Sequence, residues 1–357
     1  MNGWFRVERL RALAALAALT ALAGCAETSV PAFGTANPRG SADDGDLWNL
    51  APAAADTVAE VDLAAMRASP WTRAMTESGL SGQREESLRA YGYDPFTDGD
   101  RLLAFAIEAG GPTSGPGTLN GVPDSPATDS AGRSPAPSSR TVTVVRGRFD
   151  AGRVGAAFTA SNPGAKSGRW RDSPIWEGGG RAVALVTART LVSGAPADVR
   201  TAIDTAWGIV PDARSGPLGE LRRAMAADRD GPASFAAVNL TDTMRARAAG
   251  FASFPAGLRR FAARIDLGQD VNLDFTGVAD TAADASAAAN TIVIAAHMYA
   301  EGTMVRLLGL APVLKSVAAA AEGTRLHGHV TVPAEQRERL ADKLLAVMQT
   351  LAANARH

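Results

Sequence analysis

The chain has a single cysteine, Cys25, so it can form no internal disulfide and can build no thiolate metal cluster. It also lacks a surplus of charge: 36 basic residues meet 37 acidic ones, a formal charge of −1. A nucleic-acid binder would gather a basic excess on one face, so that class is excluded and no nucleic-acid partner is expected. Lysine is scarce, with Lys166, Lys315 and Lys343 the only three. No apolar run reaches the ~20 residues that cross a hydrocarbon core. The H-E-x-x-H, P-loop and G-x-G-x-x-G signatures are missing too, so no cofactor is expected. What remains is a chain of 357 residues, 46% hydrophobic, long enough for two ordinary domains or one large one and able to build a core without covalent staples.

Arg6, Arg9 and Arg11 precede the short apolar run Ala12–Leu22, and small residues then lead to Leu22-Ala23-Gly24-Cys25. Residues 1–24 thus have the three-part layout of a secretory signal peptide. The last four of these residues resemble the lipobox of bacterial lipoproteins. That resemblance implies that Cys25 becomes the first mature residue and carries diacylglycerol, usually with an amide-linked acyl chain such as palmitate. A lone thiol in an exported protein asks for an explanation, and lipidation supplies it. The expected partner is therefore the membrane, reached through the N-terminal lipid, and the expected location is the cell envelope. Ala26 follows Cys25 where an aspartate is associated with inner-membrane retention, which favours the outer membrane in a diderm cell.

Residues 25–50 are small, polar and punctuated by Pro and Gly, a lipidated flexible tether. A second low-complexity stretch, 110–139, carries Gly-Pro, Ser-Pro and Ala-Pro steps and reads as a disordered insertion between two neighbouring strands. Elsewhere, period-two alternation predicts strands over 57–61, 102–107, 141–148, 181–187, 190–192, 234–239, 261–266, 271–278 and 326–332. Helices are expected over 63–78, 84–91, 151–159, 197–206, 218–227, 241–249, 282–299 and 334–353. The last carries an apolar stripe of Leu340, Leu344, Val347, Met348 and Leu351. The fold class is α+β, with antiparallel or mixed sheets packed on helices.

The chain also repeats itself. Val58-Ala59-Glu60-Val61-Asp62-Leu63 matches Phe235-Ala236-Ala237-Val238-Asn239-Leu240, each a strand running through an Asx residue, a plausible N-cap, into a helix. Gly147 and Asp150 match Gly277 and Asp280 at the start of Ala-rich helices. A duplicated strand–helix–strand unit, 51–215 and 216–357, is the expected organisation. The run Ala51-Pro52 to Asp56, then Val61-Asp62-Leu63, Ser69-Pro70-Trp71 and Tyr91-Gly92-Tyr93-Asp94-Pro95 is similar to a group of bacterial exported proteins. That resemblance covers about the first fifty folded residues and implies no activity.

Two constellations could carry chemistry. Asp94, Asp98 and Asp100 fall at calcium-loop positions 1, 5 and 7, but Phe96 and Phe105 stand at positions 3 and 12, where oxygen ligands belong. A turn is the better reading, since Asp-Pro and Asp-Gly steps initiate and tighten turns. His327 and His329 lie two apart on one face of a strand, a candidate zinc or copper pair without a third ligand, and their polar neighbours favour a solvated face. Trp170, Ile175 and Trp176 beside the Gly178-Gly179-Gly180 turn are an aromatic patch for a glycan or partner, or else core. Three functions fit: a non-enzymatic binding or scaffolding protein with an envelope protein partner, a carrier of lipid or another hydrophobic ligand, and an envelope hydrolase.

Overall fold

In the computed structural model the described residues are 45–69, 81–107, 140–226, 234–248, 255 and 257–336. The expected signal peptide, Cys25, most of the tether, the insertion 110–139 and the C-terminal helix beyond Gln336 lie outside them.

The protein is α+β. Its strands are β1 (Thr57–Asp62), β2 (Gly99–Ile107), β3 (Arg140–Gly147), β4 (Lys166–Trp170), β5 (Ser173–Gly178), β6 (Arg181–Thr187), β7 (Thr190–Gly194), β8 (Ser234–Asn239), β9 (Leu258–Leu267), β10 (Val271–Ala279), β11 (Ala318–Glu322) and β12 (Arg325–Val332). They form one twelve-stranded sheet in the order β11-β12-β10-β9-β8-β1-β2-β3-β7-β6-β5-β4. Between them run α1 (Leu63–Ala68), α2 (Ser81–Tyr91), the single turn α3 (Pro95–Asp98), α4 (Ala151–Ser161), α5 (Pro196–Ala206), α6 (Pro217–Ala226), α7 (Asp242–Ala248), α8 (Ala282–Ala300), α9 (Thr303–Leu308) and α10 (Ala311–Lys315). No described helix is long and apolar enough to cross a membrane.

Alternation along the strands divides the apolar residues between two faces. On the back face, Val58, Leu103, Phe105, Val142, Val144, Val192, Ala184, Phe235, Ala237 and Ala262 make one core with Val199, Ala202 and Ile203 of α5 and Leu218 and Leu221 of α6. On the front face there are two separate cores. Val61, Leu102, Val145, Leu191 and Trp176 pack with Val154 and Phe158 of α4, while Phe275 and Leu326 pack with Ala288 and Ala289 of α8. The back core crosses from β1 to β8, so it binds the two halves of the chain together.

Those halves repeat one topology. Outward from the centre, β1, β2, β3, β7 and β6 occupy the places that β8, β9, β10, β12 and β11 occupy on the other side. They meet where β1 and β8 pair antiparallel, Thr57 opposite Val238 and Glu60 opposite Phe235. Among the described residues, only the first half adds a further hairpin, β5 and β4, outside β6. Gly147 and Gly277 are both tight: a Cβ would lie 2.1 Å from the Asp98 carbonyl oxygen at the first and 2.9 Å from Leu258 at the second.

The caps differ from the sequence expectation in the second half. Asp62 and Asp150 do cap α1 and α4, accepting from the amides of Ala65 and Arg153 at 2.7 Å each. Asn239, however, is the last residue of β8, and Thr241 takes the capping role by accepting from the Met244 amide at 3.2 Å. Asp280 likewise leaves the cap to Thr281 and instead accepts from Arg259 at 2.6 Å.

Candidate functional site

The densest polar assembly lies inside the back core. Glu60 projects from β1 on the same face as Val58 and is 6% exposed. Trp48 donates its indole N–H to Glu60 at 2.9 Å, Arg222 of α6 donates at 3.0 Å, and Arg101 of β2 lies 3.5 Å away. Arg222 also binds Asp46 and stacks over the Trp48 ring, 4.8 Å from its centroid. Arg146 of β3 donates to the Gly45 carbonyl. Burial pushes the Glu60 carboxyl above its ordinary range; Arg222 opposes this, Asp46 adds to it, and Arg101 and the Trp48 hydrogen bond oppose it.

These contacts converge on residues 45–50. Asp46 caps the short 3₁₀ turn Leu47–Asn49, and Leu47, Trp48 and Leu50 are all buried. The segment is a strap: its apolar side chains plug the back core, and its polar groups hold a charged lattice built from β1, β2, β3 and α6. An acid saturated by donors and closed off by Trp48 fixes the chain in place. Glu60 and Arg222 went unmarked in the sequence. The available signal was an acid in phase with the core-facing Val58, with the capping Asp62 next on the same side.

A second buried acid, Asp198, opens α5 and is 2% exposed. Burial raises its carboxyl and Arg140, at 3.5 Å, opposes the shift. Arg140 begins β3 and stands opposite Ile107 of β2, so the pair closes the two strand ends that bracket 108–139.

The three carboxylates of the candidate calcium loop diverge. Asp94 caps α3, accepting from the Phe96 amide at 2.9 Å, and binds Arg84 at 2.7 Å. Asp98 accepts from the Asp94 amide at 2.9 Å. Asp100 pairs with Arg189 at 2.8 Å and with Arg67 at 3.7 Å. His327 and His329 are exposed on the back face of β12, with Thr276 and Asp274 of β10 opposite them, while Leu326 and Val330 are buried on the front. Among the described residues, no group of three or more His, Cys, Asp or Glu is placed to hold a metal ion.

The aromatic patch separates by depth. Ile175 and Trp176 are buried in opposite cores, and only Trp170 reaches the surface. Its indole N–H donates to Asp204 at 3.0 Å, and the guanidinium groups of Arg171 and Arg200 lie 5.5 and 5.2 Å from its ring centroid. Exposed large apolar side chains gather on the second half of α8, at Ile294, Met298 and Tyr299.

No family model matches the chain, and no curated protein matches it either. Among solved structures it is similar in outline to TP0453. Crystal form III of that protein gives a TM-score of 0.47 at 9% identity, covering 85% of this chain and 99% of that one. Crystal form I gives 0.43 at 10% identity, covering 85% and 98%. Crystal form IV gives 0.42 at 10% identity, covering 84% and 96%. Likeness at this level says nothing of role.

Proposed function

We propose that this chain is a lipid-anchored bacterial cell-envelope protein that acts by binding or scaffolding. The observation that carries the reading is the strap. A domain held at one lipidated end needs its root fixed to the fold, and residues 45–50, the last of the tether expected over 25–50, are held by the contacts of Trp48 and Asp46 with Glu60 and Arg222. The lipobox-like Leu22–Cys25 supports Cys25 as the lipidated residue, with the membrane and an envelope protein as partners. Each of the two buried acids described above is engaged by arginine, Glu60 by Arg222 at 3.0 Å and Asp198 by Arg140 at 3.5 Å.

The test is metabolic labelling with a clickable palmitate, followed by crosslinking and pull-down from the envelope. Wild type should take up label and Cys25→Ala should take up none. Equal labelling of the two would reject the anchor, and an envelope fraction yielding no reproducible partner would reject the scaffold.

A hydrophobic-ligand carrier is the second reading, favoured by one observation. Between α1 and α8 the front face of the central strands presents Ala59, Val238, Ala263 and Ile265 half-buried and Ala236 exposed, an apolar floor. Saturable binding of a fluorescent fatty acid supports this reading, and its absence removes it.

A further inference from the structure

We propose that the outer edge of β11 is an interface at which two copies of this chain pair antiparallel and join their sheets. Among the described residues β11 has a neighbour, β12, on one side only. Its other side offers a row of backbone N–H and C=O groups, the template that native proteins normally block with charge, proline or a bulge. The opposite end of the sheet is blocked in that way, since β4 carries Lys166 and Arg169 among its exposed residues. β11 reads Ala318-Ala319-Ala320-Ala321-Glu322 and pairs with β12 without a bulge. Ala318 and Ala320 are exposed, whereas Ala319 and Ala321 lie half-buried against the α8 core.

The repeat supplies a second, independent observation. β11 holds the place in the second half that β6 holds in the first, and β6 accepts a further antiparallel strand on this same edge. There Ile175 stands opposite Ala184 and Glu177 opposite Ala182, so the added strand crosses alanines. In the second half no described strand fills that place.

A second copy fits it because the strand matches itself. Antiparallel pairing about a two-fold axis at Ala320 sets Ala319 against Ala321 and Ala318 against Glu322 of the mate. No like charges and no bulky side chains then face each other. Such an isologous contact closes as a dimer rather than growing into a filament. Five residues bury far less than the ~800 Å² per partner of a stable complex, so the dimer is weak and concentration-dependent.

The test uses the full chain carrying Cys25→Ser, which leaves each added cysteine as the sole thiol and makes the outcome independent of lipidation. Directly opposed residues of an antiparallel pair have Cα atoms about 4.5–5.5 Å apart, within disulfide reach. Mild oxidation of Ala320→Cys alone, and of Ala319→Cys mixed with Ala321→Cys, should give a reducible dimer, while Arg169→Cys on β4 gives none. In sedimentation equilibrium Ala320→Lys should weaken dimerisation at least tenfold with an unchanged circular dichroism spectrum. Failure of both Ala320→Cys and the mixture of Ala319→Cys with Ala321→Cys to crosslink overturns the proposal. So does crosslinking to a different polypeptide in place of a second copy, or undiminished dimerisation of Ala320→Lys.

Discussion

Replacing Trp48 by alanine removes the plug of the strap, and the cost can be worked from its surroundings. The ring is fully buried, packs 5.6 Å from Phe235 and donates to Glu60. Burying about 200 Å² at roughly 25 cal/mol per Å² is worth about 5 kcal/mol, in line with the 3–5 kcal/mol usual for Trp→Ala in a core. Trp48→Phe keeps most of that area and loses the N–H, so it isolates the hydrogen bond to a charged acceptor, about 1.5–3 kcal/mol. Urea unfolding followed by tryptophan-independent circular dichroism is the assay. With a slope of about 3 kcal/mol/M, Trp48→Ala should lower the midpoint by roughly 1.7 M at unchanged slope, and Trp48→Phe by roughly 0.5–1 M. A loss below about 1 kcal/mol for Trp48→Ala, far short of core truncation, would mean that the strap adds nothing to the fold.

Three further outcomes are expected. Burial raises the Glu60 carboxyl above 4.5, so the native state binds its proton before the unfolded chain does. Stability from this group is present at low pH and lost as pH rises through the raised value, so wild type should lose stability relative to Glu60→Gln between pH 4.5 and neutrality; parallel melting curves would refute this. Gly147→Ala should cost about 1–3 kcal/mol by overpacking against the Asp98 carbonyl, whereas Gly168→Ala, with open space around it, should change the melting temperature little. Deleting 112–138 should shift the thermal midpoint by only a few degrees, because Ile107 and Arg140 already face each other across β2 and β3; a fall above ~10 °C would show that the segment packs.

Much of the fold was legible because its strands alternate cleanly. The β6 and β8 boundaries agree with the pattern, as do the glycines and, in the first half, the caps that mark the repeat. Three strands escaped it. β4 is exposed along nearly its whole length, so an edge strand showed no apolar face to read. β5 was visible only through its turn, where Gly179 and Gly180 adopt positive φ. β11 is four alanines and a glutamate, poor strand formers held extended by β12 beside them and α8 above. The joining of the halves was equally hidden, since nothing local to β1 or β8 states that each is the other's neighbour. Of the candidate site residues, the sequence named the three aspartates and two histidines by spacing. It passed over Glu60 and Arg222, which are 162 positions apart and acquire meaning only when α6 folds across β1.

The pairing of β1 with β8 also sets a timetable for synthesis. Val58 lies opposite Ala237, about 180 positions later in the chain. At roughly 5–20 residues per second, that interval lasts on the order of 10–40 s. Throughout it, β1 can pair with β2 while its other edge, Thr57–Glu60, waits without its native neighbour. Glu60 waits as well, since Arg222 emerges only shortly before β8. Until β8 arrives, the middle of the finished sheet is thus an open seam, where a holding chaperone, or a strand from another nascent chain, finds a free edge.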